Sequence, residues 1–436
     1  MQNRRIFICL THLAASGFRP TFVSAFSPTL TLTPTSIALN SNLPIQAKIR
    51  TRLFSTGTGT GSGSGASNNS IMSPATATTT QSTKPSVRVV SYNILSSELA
   101  EPDYHTLCKP EDLDASIRLP RILGKLQSEL DRAQENDEKV VFCLQEVSHE
   151  WATALHVFFA ERGYHFITAL YGRKFNGFMG IGTAIPTASF ELQTVDIVKL
   201  ADERKGGWPR APREPEPGIL QRYVVSPIMN PVTAAYQYLR GPQRKQDDAW
   251  DYSKYRHNQF IGCKLQSRDC VDSPFWIGNY HMPCAFRTPS VMNIHADLVG
   301  NRIQHLAGDA PYILAGDFNA QPGQNPYEFL RTGVVDESDE TYPPEKYGMK
   351  WESSMKSMRS AYFEMNKEEP EYTNASHNGA MNSESFIGTL DYIFLSQQWN
   401  VNNVLALPKR KDLVGVYPNA NEPSDHLMIA ASLELQ

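Results

Sequence analysis

The amino-acid sequence predicts an α/β fold, a four-layer α/β sandwich in which two packed mixed β-sheets are flanked by helices. Three observations predict it. Strand-like and helix-like segments interleave over residues 87–436. Several β-prone runs are apolar throughout rather than alternating, which is the pattern of strands buried on both faces. A chain of 436 residues, 41% of them hydrophobic, also has enough apolar material for a sizeable layered core.

In chain order, strands are expected over residues 88–95, 140–147, 164–170, 180–185, 192–200, 259–265, 275–282, 312–318, 390–395 and 427–433, where β-branched and aromatic residues cluster between turn formers. Apolar residues recur at helical spacing over 117–134, 150–162, 291–306, 326–331 and 357–365. The stretch 201–257 breaks this rhythm with Gly206-Gly207-Trp208-Pro209, six further prolines and dense charge of both signs, so it is expected to be an irregular insertion at the rim of the molecule.

Charge is distributed unevenly. Residues 1–86 hold seven Lys or Arg and no Asp or Glu, leaving 34 cations against 45 anions and a net charge of −11 in residues 87–436. An acidic body repels a polyanion, which excludes affinity built on a broad basic face; contact with a nucleic acid would have to come from a metal and a few local cations. Short strands or small nucleotides fit better than a gripped duplex.

The first 86 residues, with Arg4, Arg5, Arg19, Lys48, Arg50 and Arg52 among many Ser and Thr and a Gly/Ser/Thr-rich tract over 56–83, have the composition of an organellar transit peptide and a flexible linker. Arg52-Leu53-Phe54-Ser55 resembles a mitochondrial processing site, and a mitochondrial address is the preferred expectation. A bipartite plastid signal around Val23-Ser24-Ala25-Phe26 is the alternative, and a tail without an address is the plain one. No segment approaches the roughly 18–20 uninterrupted apolar residues of a spanning helix, so no membrane insertion is expected. The six cysteines show no CxxC or zinc-type spacing and read as reduced, mostly structural thiols.

Six strand ends carry oxygen ligands or imidazoles: Asn93, Glu146, His281, Asp317 with Asn319, Asp391, and Asp425-His426. Each has an ordinary explanation when taken alone, because Asn and Asp end strands as turn formers and a carboxylate at a buried strand end is often simply paired. Together they suit hydrolysis of a phosphodiester, which needs charge neutralised on the phosphoryl oxygens, a water nucleophile and a protonated leaving group. A hard divalent cation serves the first need and selects carboxylate and amide oxygens. Glu146 is the leading ligand, and Asn93 is its neutral oxygen partner or hydrogen-bonds to it. In extended geometry Asp317 and Asn319 leave one face of the strand and can share a phosphate, Asp317 activating water and Asn319 bonding a non-bridging oxygen. Asp391 is expected to orient His426, with His281 donating to a phosphoryl oxygen and Asp425 lining the metal side or a second, weaker metal position.

The segments Ser91-Tyr92-Asn93-Ile94-Leu95, Leu144-Gln145-Glu146-Val147, Asn279-Tyr280-His281, Gly316-Asp317-Phe318-Asn319, Gly388-Thr389-Leu390-Asp391-Tyr392-Ile393-Phe394 and Pro423-Ser424-Asp425-His426 occur in this order over residues 87–436. Their order and content resemble the exonuclease-endonuclease-phosphatase superfamily, within it the branch of carbon-catabolite-repressor-type deadenylases, nocturnin, the angel proteins and the 2′-phosphodiesterase. The resemblance implies a catalytic domain over 87–436 with Asn93 and Glu146 on the Mg²⁺ side, Mn²⁺ being the alternative ion. It implies Asp317 and Asn319 as the water-activating and phosphate-binding pair, Asp391 with His426 as a hydrogen-bonded dyad, and His281 at the phosphate. Phe386 is the residue it implies for stacking on a purine, and Arg173, Lys174 and Arg287 are candidates for flanking phosphates. The implied activity is 3′-5′ exoribonuclease action on single-stranded, adenine-rich RNA, or alternatively hydrolysis of small nucleotides such as 2′-5′ oligoadenylates or phosphorylated dinucleotides. Leucine-rich repeats do not precede the motifs, and the sequence offers no evidence for an obligate protein partner.

Overall fold

The computed structural model describes residues 84–213, 248–270, 273–377, 379 and 384–436; all but the last three residues of the expected leader and most of the 201–257 insertion lie outside these residues. Its elements are β1 (Ser86–Asn93), α1 (Pro110–Leu113), α2 (Ala115–Glu135), β2 (Val140–Val147), α3 (His149–Glu161), β3 (Tyr164–Leu170), β4 (Gly180–Pro186), β5 (Phe190–Lys199), α4 (Ala249–Lys254), β6 (Gln259–Ser267), β7 (Phe275–His281), α5 (Pro289–Ala307), β8 (Tyr312–Asp317), α6 (Asn325–Thr332), β9 (Arg359–Ser360), α7 (Ala361–Asn366), β10 (Asn374–Ser376), β11 (Phe386–Gly388), β12 (Asp391–Leu395), β13 (Trp399–Val404) and β14 (Ile429–Leu435).

Two six-stranded sheets form, ordered β13-β14-β1-β2-β4-β3 and β5-β6-β7-β8-β12-β9, with β10-β11 as a separate hairpin. Both are mixed: β1/β2 and β7/β8 run parallel and the other pairs antiparallel. The expected sandwich is the observed one.

Alternation along the strands builds the layers. Val87 and Val89 of β1, Val141 and Cys143 of β2, Ile277 of β7, Ile313 and Ala315 of β8 and Ile393 of β12 share the core between the sheets. Their alternate neighbours face outward. Val90, Tyr92, Phe142 and Leu144 pack with Ile122 and Leu126 of α2 and Leu155 and Phe159 of α3. Trp276, Tyr280, Leu314 and Phe394 pack with Val291, Ile294 and Val299 of α5. Strands packed on both faces account for the unbroken apolar runs.

The helix expected over 357–365 begins only at Ala361, because Arg359 and Ser360 pair with Leu395 and Phe394 as an edge strand. Strands β9, β10, β11 and β13 and helices α1 and α4 carry no strong periodicity in the sequence; α4 lies within the stretch read as irregular.

Candidate active site

The odd-numbered residues that face between the sheets change from apolar to polar toward one end of the strands. Ser91, Gln145, Asn279 and Thr183 form a buried bridge: Gln145 Nε2 donates to Asn279 Oδ1 at 3.0 Å and to Ser91 Oγ at 3.2 Å, and Asn279 Nδ2 donates to the Gly182 carbonyl at 2.9 Å and to Thr183 Oγ1 at 3.3 Å. Satisfied polar groups of this kind can be buried at little net cost and hold one sheet in register with the other.

One step further along the same strands lies the constellation. Asp317 ends β8, and register places His281 of β7 and Asp391 of β12 directly on either side of it. Asn93, at the end of β1, reaches across from the other sheet: its Nδ2 donates to Asp317 Oδ2 at 3.0 Å and to Glu146 Oε1 at 3.1 Å. The Leu95 amide donates to Asn93 Oδ1 at 3.0 Å, which fixes the orientation of the side-chain amide. Asn93 therefore presents nitrogen, not oxygen, to the two carboxylates.

Glu146 is even-numbered and by alternation would face the helices. Pairing between β2 and β4 slips between Gln145 and Val147, and Glu146 takes a φ of 58° at this bulge. Bulges re-aim side chains. Here the carboxylate reaches Asn93, and its Oε2 accepts the Ser96 amide at 3.1 Å.

His426 Nδ1 and Thr373 Oγ1 both donate to Asp391 Oδ2, at 2.8 and 2.6 Å. That bond leaves His426 Nε2 facing the site, 3.7 Å from Asp317 Oδ2. His281 Nε2 lies 3.6 Å from the same oxygen and 4.0 Å from Glu146 Oε1. The Asp317 carboxyl is pushed up to about 6, by burial first and also by nearby Asp391, against the opposing pull of His426, His281 and the Asn93 hydrogen bond. For His426 burial works the other way, but the combined charge of Asp391, Asp317 and Asp425 outweighs it and holds the imidazole well above its ordinary value.

Asn319 departs from the extended geometry expected for it. It has a φ of 51°, its amide closes a turn on Asp317 Oδ1 at 2.9 Å, and its Nδ2 donates to the Met282 carbonyl at 2.9 Å. Asp425 is joined to the cluster by no side-chain hydrogen bond; its charge acts on Arg118, His105 and Cys108 as well as on His426, and its Oδ1 is buried without a partner. Phe386 is half-buried on the β10-β11 hairpin, where the bare Gly388 leaves room for its ring: a Cβ there would sit 2.9 Å from Phe386 Cζ. The hairpin is tied to the dyad through the Asn374–His426 bridge. Arg173, Lys174 and Arg287 are exposed on loops that follow β3 and His281.

The structure adds residues that carried no sequence signal. Asn258 donates to the His281 carbonyl at 2.8 Å and toward the Tyr171 hydroxyl at 3.5 Å. Burial raises the Tyr171 phenol, Glu146 and Asp317 raise it further, and Arg256 opposes them, which places all three charges near this wall. The Arg256 guanidinium lies 5.0 Å over the Tyr252 ring, with a buried, unpartnered Nε.

The donor set fits a hard divalent cation. Asp317, Asp391 and His426 can each offer a ligand atom within 4.8 Å of the others, and Asp391 Oδ1 is buried with no hydrogen-bond partner. The Asp391 bond to His426 uses Oδ2 and leaves Oδ1 available, while Glu146 shares the Asn93 amide with Asp317.

Residues 90–426 match the Endonuclease/Exonuclease/phosphatase family. The chain belongs to that family. It is 34% identical over 128 residues to carbon catabolite repressor protein 4 homolog 4 of Arabidopsis thaliana, covering 28% of this chain and 27% of that protein. It is 23% identical over 361 residues to 2′,5′-phosphodiesterase 12 of Mus musculus, covering 80% of this chain and 52% of that one. The chain thus spans about half the length, or less, of these curated relatives. Among solved structures it is similar to ANGEL2, a 2′,3′-cyclic phosphatase, at a TM-score of 0.56 and 21% identity over 81% of this chain and 96% of that one. That likeness extends to the fold. Among the described residues, no helix is long and apolar enough to cross a membrane.

Proposed function

We propose that the chain is a Mg²⁺-dependent phosphodiesterase that removes 3′-terminal nucleotides from single-stranded, adenine-rich RNA. The observation that carries this reading is the register that sets Asp317 between His281 and Asp391 on one sheet and opposite Asn93 and Glu146 of the other. Family membership supports it, as do the names of relatives that match part of the chain, among them the CCR4-Not complex 3′-5′-exoribonuclease subunit Ccr4 of Schizosaccharomyces pombe, 29% identical over 132 residues, 29% of this chain and 18% of that one.

Glu146 and Asp317 would hold the Mg²⁺ ion, Mn²⁺ being the alternative, and a bound cation of this kind offsets phosphoryl charge and acidifies water. Asn93 steadies both carboxylates through its two N–H bonds. Asp317 takes the proton of the attacking water as its oxygen bonds to phosphorus; the P–O bond to the nucleoside oxygen breaks, and the departing alkoxide is protonated from solvent. Asp391 holds the Nδ1 proton of His426, so the opposite nitrogen donates to a phosphoryl oxygen, joined by His281 from the neighbouring strand. Asn319 holds the turn after Asp317, Phe386 stacks on the terminal base, and Arg173, Lys174 and Arg287 meet flanking phosphates. Asp425 lines a second, weaker cation position.

The second reading keeps these groups and makes the substrate a small nucleotide, either a 2′-5′ oligoadenylate or a phosphorylated dinucleotide. The net charge of −11 over residues 87–436 favours it. A panel of 3′-5′ and 2′-5′ oligoadenylates, mixed RNA, DNA and phosphorylated dinucleotides, with and without Mg²⁺, separates the two. Hydrolysis undiminished in Glu146→Gln would overturn both. The basic leader directs the protein to mitochondria in this proposal; a fluorescent protein carrying residues 1–86 that stays in the cytosol refutes that part.

A further inference from the structure

The turn between β3 and β4 holds two large aromatic rings out in solvent. Phe175 is 54% exposed and Phe178 50%, although most of the described phenylalanines pack into the cores. Phe178 also has a φ of 51°, a region a bulky residue seldom occupies, so its outward position is built into the backbone.

Hydrogen bonds make this turn stiff. Arg173 N–H donates to Asn176 Oδ1 at 2.7 Å, Phe178 N–H to the Arg173 carbonyl at 2.9 Å, and Gly172 N–H to the Met179 carbonyl at 2.7 Å. It is also fastened to the reaction centre. Ser96 Oγ donates to the Asn176 carbonyl at 2.9 Å while the Ser96 amide holds Glu146 Oε2, and His149 N–H donates to the Gly177 carbonyl at 2.9 Å. Gly177 is required by the contact, since a Cβ there would meet Ser96 Oγ at 3.0 Å and Ser148 Cβ at 3.2 Å with φ at 63°. Arg173 and Lys174, exposed in the same turn, make no ion pair among the described residues.

Exposed π-faces interleaved with unpaired cations suit a ligand that alternates bases and phosphates. In an otherwise acidic body the combination is local to the site's rim. We propose that Phe175 and Phe178 are a stacking platform for the bases of single-stranded oligonucleotide lying beyond the scissile phosphate, with Arg173 and Lys174 on its backbone. The inference rests on the nuclease reading above and deepens it: the platform engages nucleotides that are not cleaved in that turnover, so it favours oligonucleotides over dinucleotides.

The test uses the full chain. Binding of fluorescent oligoadenylates of three and ten nucleotides is followed by anisotropy in a Glu146→Gln background, and cleavage of a phosphorylated dinucleotide and of the ten-mer is followed in the otherwise native chain. Phe175→Ala with Phe178→Ala is expected to weaken ten-mer binding about tenfold or more, as loss of base–aromatic stacking does. The three-mer should be affected less and dinucleotide cleavage not at all, and Phe175→Trp with Phe178→Trp should retain the affinity. Unchanged ten-mer affinity overturns the platform. So does an equal fall in dinucleotide and ten-mer cleavage, which would mean that the turn only supports Glu146. Failure of the underlying reading shows separately, as hydrolysis that Glu146→Gln leaves untouched.

Discussion

Two clusters of buried charge sit at opposite ends of strand β1 and differ in how they are balanced. At one end of β1, Arg88 is 1% and Glu129 3% exposed, and they pair directly; Arg132 bridges Glu129 at 3.1 Å and Glu138 at 2.7 Å, and Arg88 also donates to Ser432 Oγ at 2.8 Å. Two guanidinium groups meet two carboxylates. At the other end of β1, Asn93 meets Glu146 and Asp317, with Asp391 behind them, and only two imidazoles stand against three carboxylates. Among the described residues no Lys or Arg is ion-paired with those three. The first cluster is complete as it stands. The second has an excess of oxygen and lacks positive charge, which is how a chain reserves a place for a cation.

Neutralising the second cluster should separate activity from stability most sharply. Asp317→Asn is expected to lower hydrolysis by about 10³-fold or more, on the scale of losing a general base and a charge-positioned group. Because it removes an uncompensated buried charge, the same change should leave the thermal midpoint of the metal-free protein equal or higher; a lower midpoint would put Asp317 in the structural class. Arg88→Met is the converse. It removes one of the two guanidinium groups on Glu129 and leaves it the half-buried Arg132, so it should cost about 2–3 kcal/mol in denaturant unfolding, with kcat of the folded protein unaltered.

Mg²⁺ should stabilise the native chain through the second cluster alone. Mass action gives about 2.7 kcal/mol at one hundred times Kd, and this gain should vanish in Glu146→Gln but persist in a variant at Glu138. Phe386→Ala should raise KM for adenine-ended substrates by an amount equivalent to about 2 kcal/mol while kcat moves little. Equal loss for adenine and pyrimidine ends would argue against a purine slot.

Asp297 extends the comparison to a lone buried acid. Burial raises it to about 6, opposed by hydrogen bonds from Ser353 and Asn301 and by the charge of Arg204. A carboxyl whose folded pKa exceeds its unfolded value contributes stability below about pH 4 that is lost as pH rises through about 6. Asp297→Asn should therefore flatten the pH profile and gain about 1–2 kcal/mol at pH 8 relative to pH 4, as read from unfolding at both pH values.

Much of this site was legible because alternation decides it. Asn93, His281 and Asp317 have the same parity as the apolar residues that precede them on their strands, and Asp391, which opens β12, that of Ile393 and Leu395 after it, so knowing that those runs were buried sufficed to bring these residues to one layer. Glu146 has the wrong parity, and only a bulge with positive φ turns it inward; nothing in Gln145-Glu146-Val147, which lacks glycine, announces that bulge. Asn319 likewise hides a left-handed turn behind a strand-like run. The β13 strand, Trp399–Val404, carries three asparagines on a sheet edge, and its pairing with β14 overrides weak propensity. Asn258, which bonds the His281 carbonyl, comes directly after the stretch 201–257 that reads as irregular, where spacing conveys no facing direction.

The Gln145–Asn279 bridge has a consequence for how such a molecule would fail. Half of the reacting groups ride on one slab and half on the other, and a few hydrogen bonds beneath them keep the slabs from shearing. A slip of a single residue between the slabs would leave every helix intact and most of the interior dry, yet part Asn93 from Asp317. Weakening that latch, as in Gln145→Leu or Asn279→Leu, should silence the enzyme at temperatures where its circular dichroism still reports a folded protein.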